Sequence, residues 1–325
     1  MPHVLVAGKI HESGIGLLRS APDVTVEVVQ EVSTEAYAPR IADADAVLIR
    51  TQPMPASVIA AAKRLRIVSR HGVGYDAVDV DALNARHIPL TVIGDVNSVS
   101  VAEHTMMLML AVARGTIAYD AATRAGRWAY RDSLDARDLN GRTVLVIGYG
   151  RIGRAVSRLS AAFGMSVMVY DPFVDAARVA ADGHVALPTL QAGLPVADVV
   201  TVHVPMAKDG AVIGARELAA LKPGAIVVNT ARGGLVDEAA LTEALADGRL
   251  RGVGLDVLAN EPPRADDPLL GSDKVVLSPH SAGLTLECAE RMAVSAARNI
   301  LDFFAGRLDP ALVVNGPAIS SSMRV

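Results

Sequence analysis

A chain with one cysteine, Cys288, has no internal disulfide to brace it. Such usage fits a reducing compartment, the cytoplasm, and Cys288 is expected to be a buried small hydrophobe rather than a reactive thiol. Aromatic residues are only 3% of the 325, so Ala, Val, Leu and Ile must fill the cores. An excess of one charge is missing too. The net charge is −4 and no basic block or stripe occurs, which argues against nucleic acid as a partner. No apolar run is long: the most apolar helical stretch, 105–113, falls short of a bilayer span, so no membrane partner is expected. The opening MPHVLVAGKI lacks a charged leader and a cleavage-site pattern, so no signal peptide is read. No Cys/His cluster has metal-ligand spacing, and no metal is expected.

What is present is alternation. Short β-branched runs at 4–7, 24–29, 46–49, 66–69 and 90–92 read as strands, with helical segments such as 13–20 and 56–62 between them. A second series follows at 143–147, 166–170, 199–203, 226–229, 253–256 and 275–277. The spacing predicts an α/β chain with two successive doubly wound parallel sheets. Residues 98–114, SVSVAEHTMMLMLAVAR, are apolar nearly all round and should form a helix covered on most sides, between domains or in a dimer face. Residues 285–306 read as a helix with no strand of its own to serve. Its return to the first sheet would make that domain discontinuous: 1–98 plus 285–325, flanking a central domain at 99–284.

The strand 143–147 runs into Gly148-Tyr149-Gly150-Arg151-Ile152-Gly153, followed by a helical stretch from 154 to 163. Gly148 permits the tight turn, Gly150 lets backbone approach a pyrophosphate, and Gly153 allows close helix–strand packing. Backbone amides and the helix dipole then supply an anion site. Alone, this glycine pattern is weak; the strand before it, the helix after it and an acid downstream strengthen it. That acid is Asp171, 23 positions beyond Gly148 (171 − 148). A carboxylate there accepts from ribose hydroxyls and repels a 2′-phosphate, which favours NAD over NADP. The competing reading of Asp171 is a solvated turn residue before Pro172.

Three later strand ends carry chemistry-bearing residues: NTARGG with Arg232, DVLANEPP with Glu261, and SPHSAG with His280. Singly, they read as a surface cation, a turn acid and an interior histidine. Together they match the needs of 2-keto acid reduction. A guanidinium clamps the carboxylate, a protonated imidazole meets the charge growing on the carbonyl oxygen, and a carboxylate holds that imidazole and favours its charged form.

With GYGRIG and Asp171, these segments resemble the D-isomer-specific 2-hydroxyacid dehydrogenase family, including its 3-phosphoglycerate dehydrogenases and glyoxylate–hydroxypyruvate reductases. So do RHGVGYDAVD at 70–79 and VNSVSVAEHT at 96–105. The resemblance implies a Rossmann NAD-binding domain inserted in a flavodoxin-like substrate domain, a closing cleft and usually a homodimer. It implies Arg232, Glu261 and His280 as the catalytic set. It also implies dinucleotide contacts from Arg151, Ile152, Asp171, Val204, Thr230, Ala231 and Asp256, and substrate contacts from Val73 and Gly74. Two positions depart from the pattern: Ala77 where Asn is usual, and IGD at 93–95 where Thr-Pro is common. Both bear on the substrate rather than the reaction. At 325 residues the chain is expected to lack the C-terminal regulatory domains of long phosphoglycerate dehydrogenases.

Other residues are open. Arg50 matches a place where phosphoglycerate-type members meet a distal anion, or is a solvated cation. His71 lies beside the substrate loop, His104 on the linking helix, and His203 in VTVHVP beside the cofactor turn, while Trp128 is a dimer anchor or core. Two other functions share this framework: an NAD-sensing corepressor-like binding protein, and a formate- or phosphite-type dehydrogenase.

Overall fold

The structure, a computed structural model, describes residues 1–206 and 210–319. Residues 320–325 of the expected tail lie outside the described residues. The chain divides into two compact units, one formed by Met1–Asn97 with Leu284–Val325 and the other by Ser98–Gly283.

The first unit holds β1 (His3–Ala7), β2 (Thr25–Val29), β3 (Ala46–Ile49), β4 (Ile67–Arg70) and β5 (Leu90–Thr91), all parallel in the order β2-β1-β3-β4-β5. Strands covered on both faces read as continuous apolar runs, and Val4, Leu5, Val47, Leu48 and Ile67 are fully buried. One face packs under Tyr37, Ile41, Ile59 and Leu83. The other packs under the helix Leu286–Phe304, through Cys288, Met292, Ala296 and Ile300. Burying each large aliphatic of this kind contributes about 1.5–3 kcal/mol. Polar stitches add register: Ser69 Oγ donates to the Ala296 carbonyl at 2.8 Å and Asn299 Nδ2 to the Val92 carbonyl at 3.0 Å.

The second unit holds β6 (Thr143–Ile147), β7 (Ser166–Tyr170), β8 (Val185–Ala186), β9 (Val199–Val202), β10 (Ala225–Asn229), β11 (Leu250–Leu255) and β12 (Val275–Leu277). Their order is β12-β11-β10-β9-β6-β7-β8, all parallel. The chain winds outward from β6 in one direction and from β9 in the other. The switch point therefore lies between the carboxyl ends of β6 and β9, the place where such sheets take ligands. Among the described residues no helix is long and apolar enough to cross a membrane.

Boundaries differ from expectation where glycine intervenes. β11 begins at Leu250, three residues earlier than its apolar pattern suggests, because Gly252 and Gly254 interrupt that pattern. A Cβ at Gly252 would meet the Lys274 carbonyl oxygen at 2.5 Å, and one at Gly254 would meet Leu108 Cβ at 2.8 Å. Glycine here buys close approach by neighbouring chain. The helix after the glycine turn starts at Arg151, not Arg154, with Gly150 as its N-cap. β8 was not anticipated; two residues are too few to display a strand period. The helix Ser98–Arg114 has the expected bounds. It buries Ala102, Thr105, Met106, Leu108, Met109 and Val112 in its own unit, while Val99 and Met107 are exposed.

Candidate active site

The glycine turn is built by exclusion. Gly148 has φ +93° and a Cβ there would stand 2.6 Å from the His203 carbonyl oxygen and 2.8 Å from Val204 Cγ1, so the ends of β6 and β9 close on each other. A Cβ at Gly153 would stand 2.0 Å from the Gly148 carbonyl oxygen. Gly150 is the opposite case: nothing lies within 4 Å of the place a Cβ would take. No side chain caps the helix that starts there. An open cradle over an uncapped twelve-residue helix fits a pyrophosphate. Asp171 follows β7, and its carboxylate accepts from the Tyr149 amide at 2.7 Å and the Phe173 amide at 2.9 Å. It thus holds the turn while keeping acceptor capacity for a ribose. Tyr149, which the glycine pattern leaves unspecified, is buried and donates from its hydroxyl to Asp182 at 2.8 Å, pinning the turn from below. Ile152 is half-buried against the helix Ser98–Arg114 side of the core.

Beyond β10, Asn229 braces the next turn from both sides. Its Nδ2 donates to the Arg232 carbonyl at 2.7 Å and its Oδ1 accepts from the Ala231 amide at 3.0 Å. Arg232 is half-buried, with Nη1 donating to the Ala231 carbonyl at 2.6 Å. Thr230 is buried and its hydroxyl pairs with that of Thr105 at 2.9 Å. Gly233 brings this turn onto the loop after β11: a Cβ there would lie 1.9 Å from the Leu258 carbonyl oxygen. The Leu258 amide in turn donates to Glu261 Oε1 at 3.1 Å, and the Glu238 carboxylate accepts from the Ala259 amide at 2.6 Å. The Arg232 and Glu261 segments are neighbours through Leu258.

His280 Nδ1 is 2.7 Å from Glu261 Oε2. The structure thus brings an imidazole and a carboxylate from two separate strand ends into direct contact, and leaves the ring half exposed. A Nδ1–H donated to Glu261 makes Nε2 the nitrogen that faces other chemistry. His280 has φ +50°, rare for a residue with a side chain. Asp256, only 2% exposed, holds it there. Oδ1 accepts from the Ser278 hydroxyl at 2.6 Å and the Ser281 amide at 2.8 Å, Oδ2 from the Ala282 amide at 2.9 Å, and the Asp256 carbonyl from the His280 amide at 2.7 Å. Sequence reasoning read Asp256 only as a dinucleotide contact; that four donors from 278–282 converge on one residue is visible only once the strands are paired.

His203 Nε2 lies 2.9 Å from Thr201 Oγ1, its Nδ1 is buried without a partner, and burial lowers its pKa to about 3. It stays neutral beside Gly148. In the first unit, Arg50 follows β3 and Arg70 ends β4, adjacent strands of the carboxyl edge. His71 between Arg70 and the Gly72-Val73-Gly74 loop is buried, and Arg70 Nη1 donates to its carbonyl at 2.6 Å. Val73 packs on the core under the helix Leu286–Phe304 and Gly74 is half-buried. Among the described residues no group of His, Cys, Asp and Glu is arranged to hold a metal ion.

A glycine turn at the switch point and an imidazole–carboxylate pair at the ends of β11 and β12 lie within one doubly wound unit. The model of the D-isomer specific 2-hydroxyacid dehydrogenase NAD-binding domain matches residues 106–282. The chain is 40% identical over 326 residues to the D-3-phosphoglycerate dehydrogenase of Mycobacterium tuberculosis, covering 99% of this chain and 61% of that one. It is 36% identical to the glyoxylate reductase of Korarchaeum cryptofilum, covering 96% of each. Among solved structures, a D-lactate dehydrogenase from Aquifex aeolicus complexed with NAD and lactic acid has a TM-score of 0.87 at 27% identity, covering 97% of this chain and 99% of that one. The chain belongs to the D-isomer specific 2-hydroxyacid dehydrogenase family. It spans about three fifths of the length of the phosphoglycerate dehydrogenases it matches.

Proposed function

We propose that the protein is an NAD-dependent oxidoreductase of the cytoplasm that interconverts a small 2-keto acid and the D-2-hydroxy acid, working as a homodimer. The 2.7 Å contact between His280 Nδ1 and Glu261 Oε2, in the unit that carries the glycine turn, is the observation that carries the reading. The nicotinamide ring, when bound, gives or takes the hydride. His280 Nε2 delivers the proton to the carbonyl oxygen as charge grows there, and recovers it in the reverse direction. Glu261 fixes the tautomer and the ring plane. Arg232 pairs with the substrate carboxylate, and its two-pronged guanidinium sets which face of the carbonyl is presented. The amides of Val73 and Gly74 are assigned to the same carboxylate, and Arg50 to a distal anionic group. Arg151, Ile152, Val204, Thr230, Ala231 and Asp256 are assigned to the dinucleotide, with Asp171 on its ribose. The names of the relatives support a small hydroxy acid as substrate, and the acceptor capacity left on Asp171 supports NAD.

NADH oxidation over a panel of glyoxylate, hydroxypyruvate and phosphohydroxypyruvate tests the reading. H280A should lower kcat by roughly 10²–10⁴-fold, the range of a lost general acid. R232A should lower kcat and raise KM together, because it removes some ground-state binding and still more transition-state binding. A wild-type protein without turnover on any keto acid of the panel, or an H280A variant with undiminished kcat, sinks it.

A further inference from the structure

Two consecutive residues of the helix Ser98–Arg114 make parallel contacts. His104 Nε2 lies 2.7 Å from Ser278 Oγ, two positions before His280. Thr105 Oγ1 lies 2.9 Å from Thr230 Oγ1, two positions before Arg232. The proton order of both follows from counting hydrogens. Ser278 spends its one O–H on Asp256 at 2.6 Å, so it accepts from His104 Nε2–H. Thr105 spends its O–H on the Val101 carbonyl at 2.8 Å, so Thr230 donates to it. A continuous path therefore runs from His104 through Ser278 to the Asp256 carboxylate that gathers the His280 loop, and His104 Nε2 is itself 3.6 Å from Asp256 Oδ1.

The strand order explains why adjacent residues reach different loops. β12 and β10 lie on either side of β11. Successive side chains on a helix diverge by about 100°. A helix lying over β11 thus sends one side chain to each neighbouring strand end. Gly254 in β11 is where it comes down, since a Cβ there would strike Leu108, one turn beyond His104.

We infer that His104 and Thr105 are positioning residues that hold the loops of His280 and Arg232 in mutual register against one rigid helix. The inference rests on the roles proposed above for those two side chains. Neither residue touches the reacting atoms; each acts through the loop it anchors. A misplacement of about 1 Å in a reacting group costs on the order of a hundredfold in rate, so the register of the two loops is worth holding.

The test uses the whole chain and substitutions at both positions. H104F keeps the bulk and removes the donor. It should lower kcat by about tenfold to a hundredfold while KM for the keto acid moves by less than about threefold. H104Q places an amide N–H near the former Nε2 and should recover most of that loss. H104N, whose amide nitrogen coincides with Nδ1 and stops short of Ser278, should not, and it serves if H104F fails to fold. T105V should lower kcat/KM, and T105S should restore it. A second readout is independent of turnover: nitrogen-15 NMR of the histidine rings, in which the His280 signals shift in H104F and H104N and return in H104Q. Thermal melts alone do not discriminate, because a purely structural role moves Tm too. Wild-type kcat with unmoved His280 signals in H104F or H104N overturns the inference. If the wild type turns over no keto acid, the proposed function falls, and the His280 signals alone decide the positioning role.

Discussion

The buried histidine His71 makes the acid limb of stability calculable. Its side chain is 5% exposed and its Nε2 is buried without a partner. Burial, then the charges of Arg70 and Arg50, lower its pKa from 6.5 to about 4, against a smaller opposing effect of backbone hydrogen bonds. Below pH 6.5 the unfolded chain binds a proton that the native imidazole does not. Its contribution is therefore fully present above 6.5 and is lost as pH falls towards 4. At roughly 1.4 kcal/mol per pH unit, the loss reaches about 2 kcal/mol by pH ~5 and about 3 kcal/mol at the end of the window.

His71→Leu keeps a similar volume and cannot titrate. Urea unfolding of both proteins between about pH 7.5 and 4.5 gives two stability curves, whose slopes should differ by about 1.4 kcal/mol per unit below pH ~6.5. The comparison cancels other groups. His203, lowered by burial to about 3, acts in the same direction in both proteins. Glu238, raised by burial, acts in the opposite direction in both. Glu27, held low by Arg40, and Asp198, where burial is outweighed by the Thr143 amide and Lys222, lose their contributions only at lower pH. Parallel curves for wild type and His71→Leu would refute the assignment of a neutral, desolvated imidazole at this position, whatever the offset between them.

Asp171→Ser removes the charge that opposes a 2′-phosphate, so the ratio of kcat/KM for NADH over NADPH should fall by about tenfold or more, as one repulsive contact of about 1.4 kcal/mol or more is lost. An unchanged ratio removes Asp171 from cofactor choice. Ile117, Trp128 and Leu134 are exposed on the segment after the helix Ser98–Arg114, Leu134 at 87%, which supports a second copy as their cover. Sedimentation should show a dimer at micromolar concentration and a weaker one for L134E; a monomeric wild type ends that reading.

How far the molecule was legible depended on the range of the contacts. The glycine turn is local: a strand, three glycines, a helix and an acid within one βαβ unit, so the close approaches at Gly148 and Gly153 could be read from the sequence. Strands buried on both faces announced themselves as apolar runs, and β3 and β6 have the bounds that their residues suggest. β11 did not, because two of its residues are chosen for the backbone and helix that press on them rather than for strand propensity. His104 and Thr105 were hidden for a different reason. Their partners are 174 and 125 residues away, and periodicity along one helix carries no information about which strand end lies above it.

The imidazole's position and its tautomer are set by different carboxylates. Glu261 touches the ring and dictates which nitrogen bears the inner hydrogen, but its own loop is partly exposed. Asp256 touches no ring atom of His280 and is almost fully buried, where an ionised carboxylate is tolerable only if its acceptors are filled. Filling them with Ser278, Ser281 and Ala282 draws the loop into the shape that puts His280 at positive φ, a conformation costing on the order of 1 kcal/mol that hydrogen bonds to a charged group, about 1.5–3 kcal/mol each, can offset. The desolvated acid therefore acts as the mould for the loop, and the exposed acid only tunes what the mould presents.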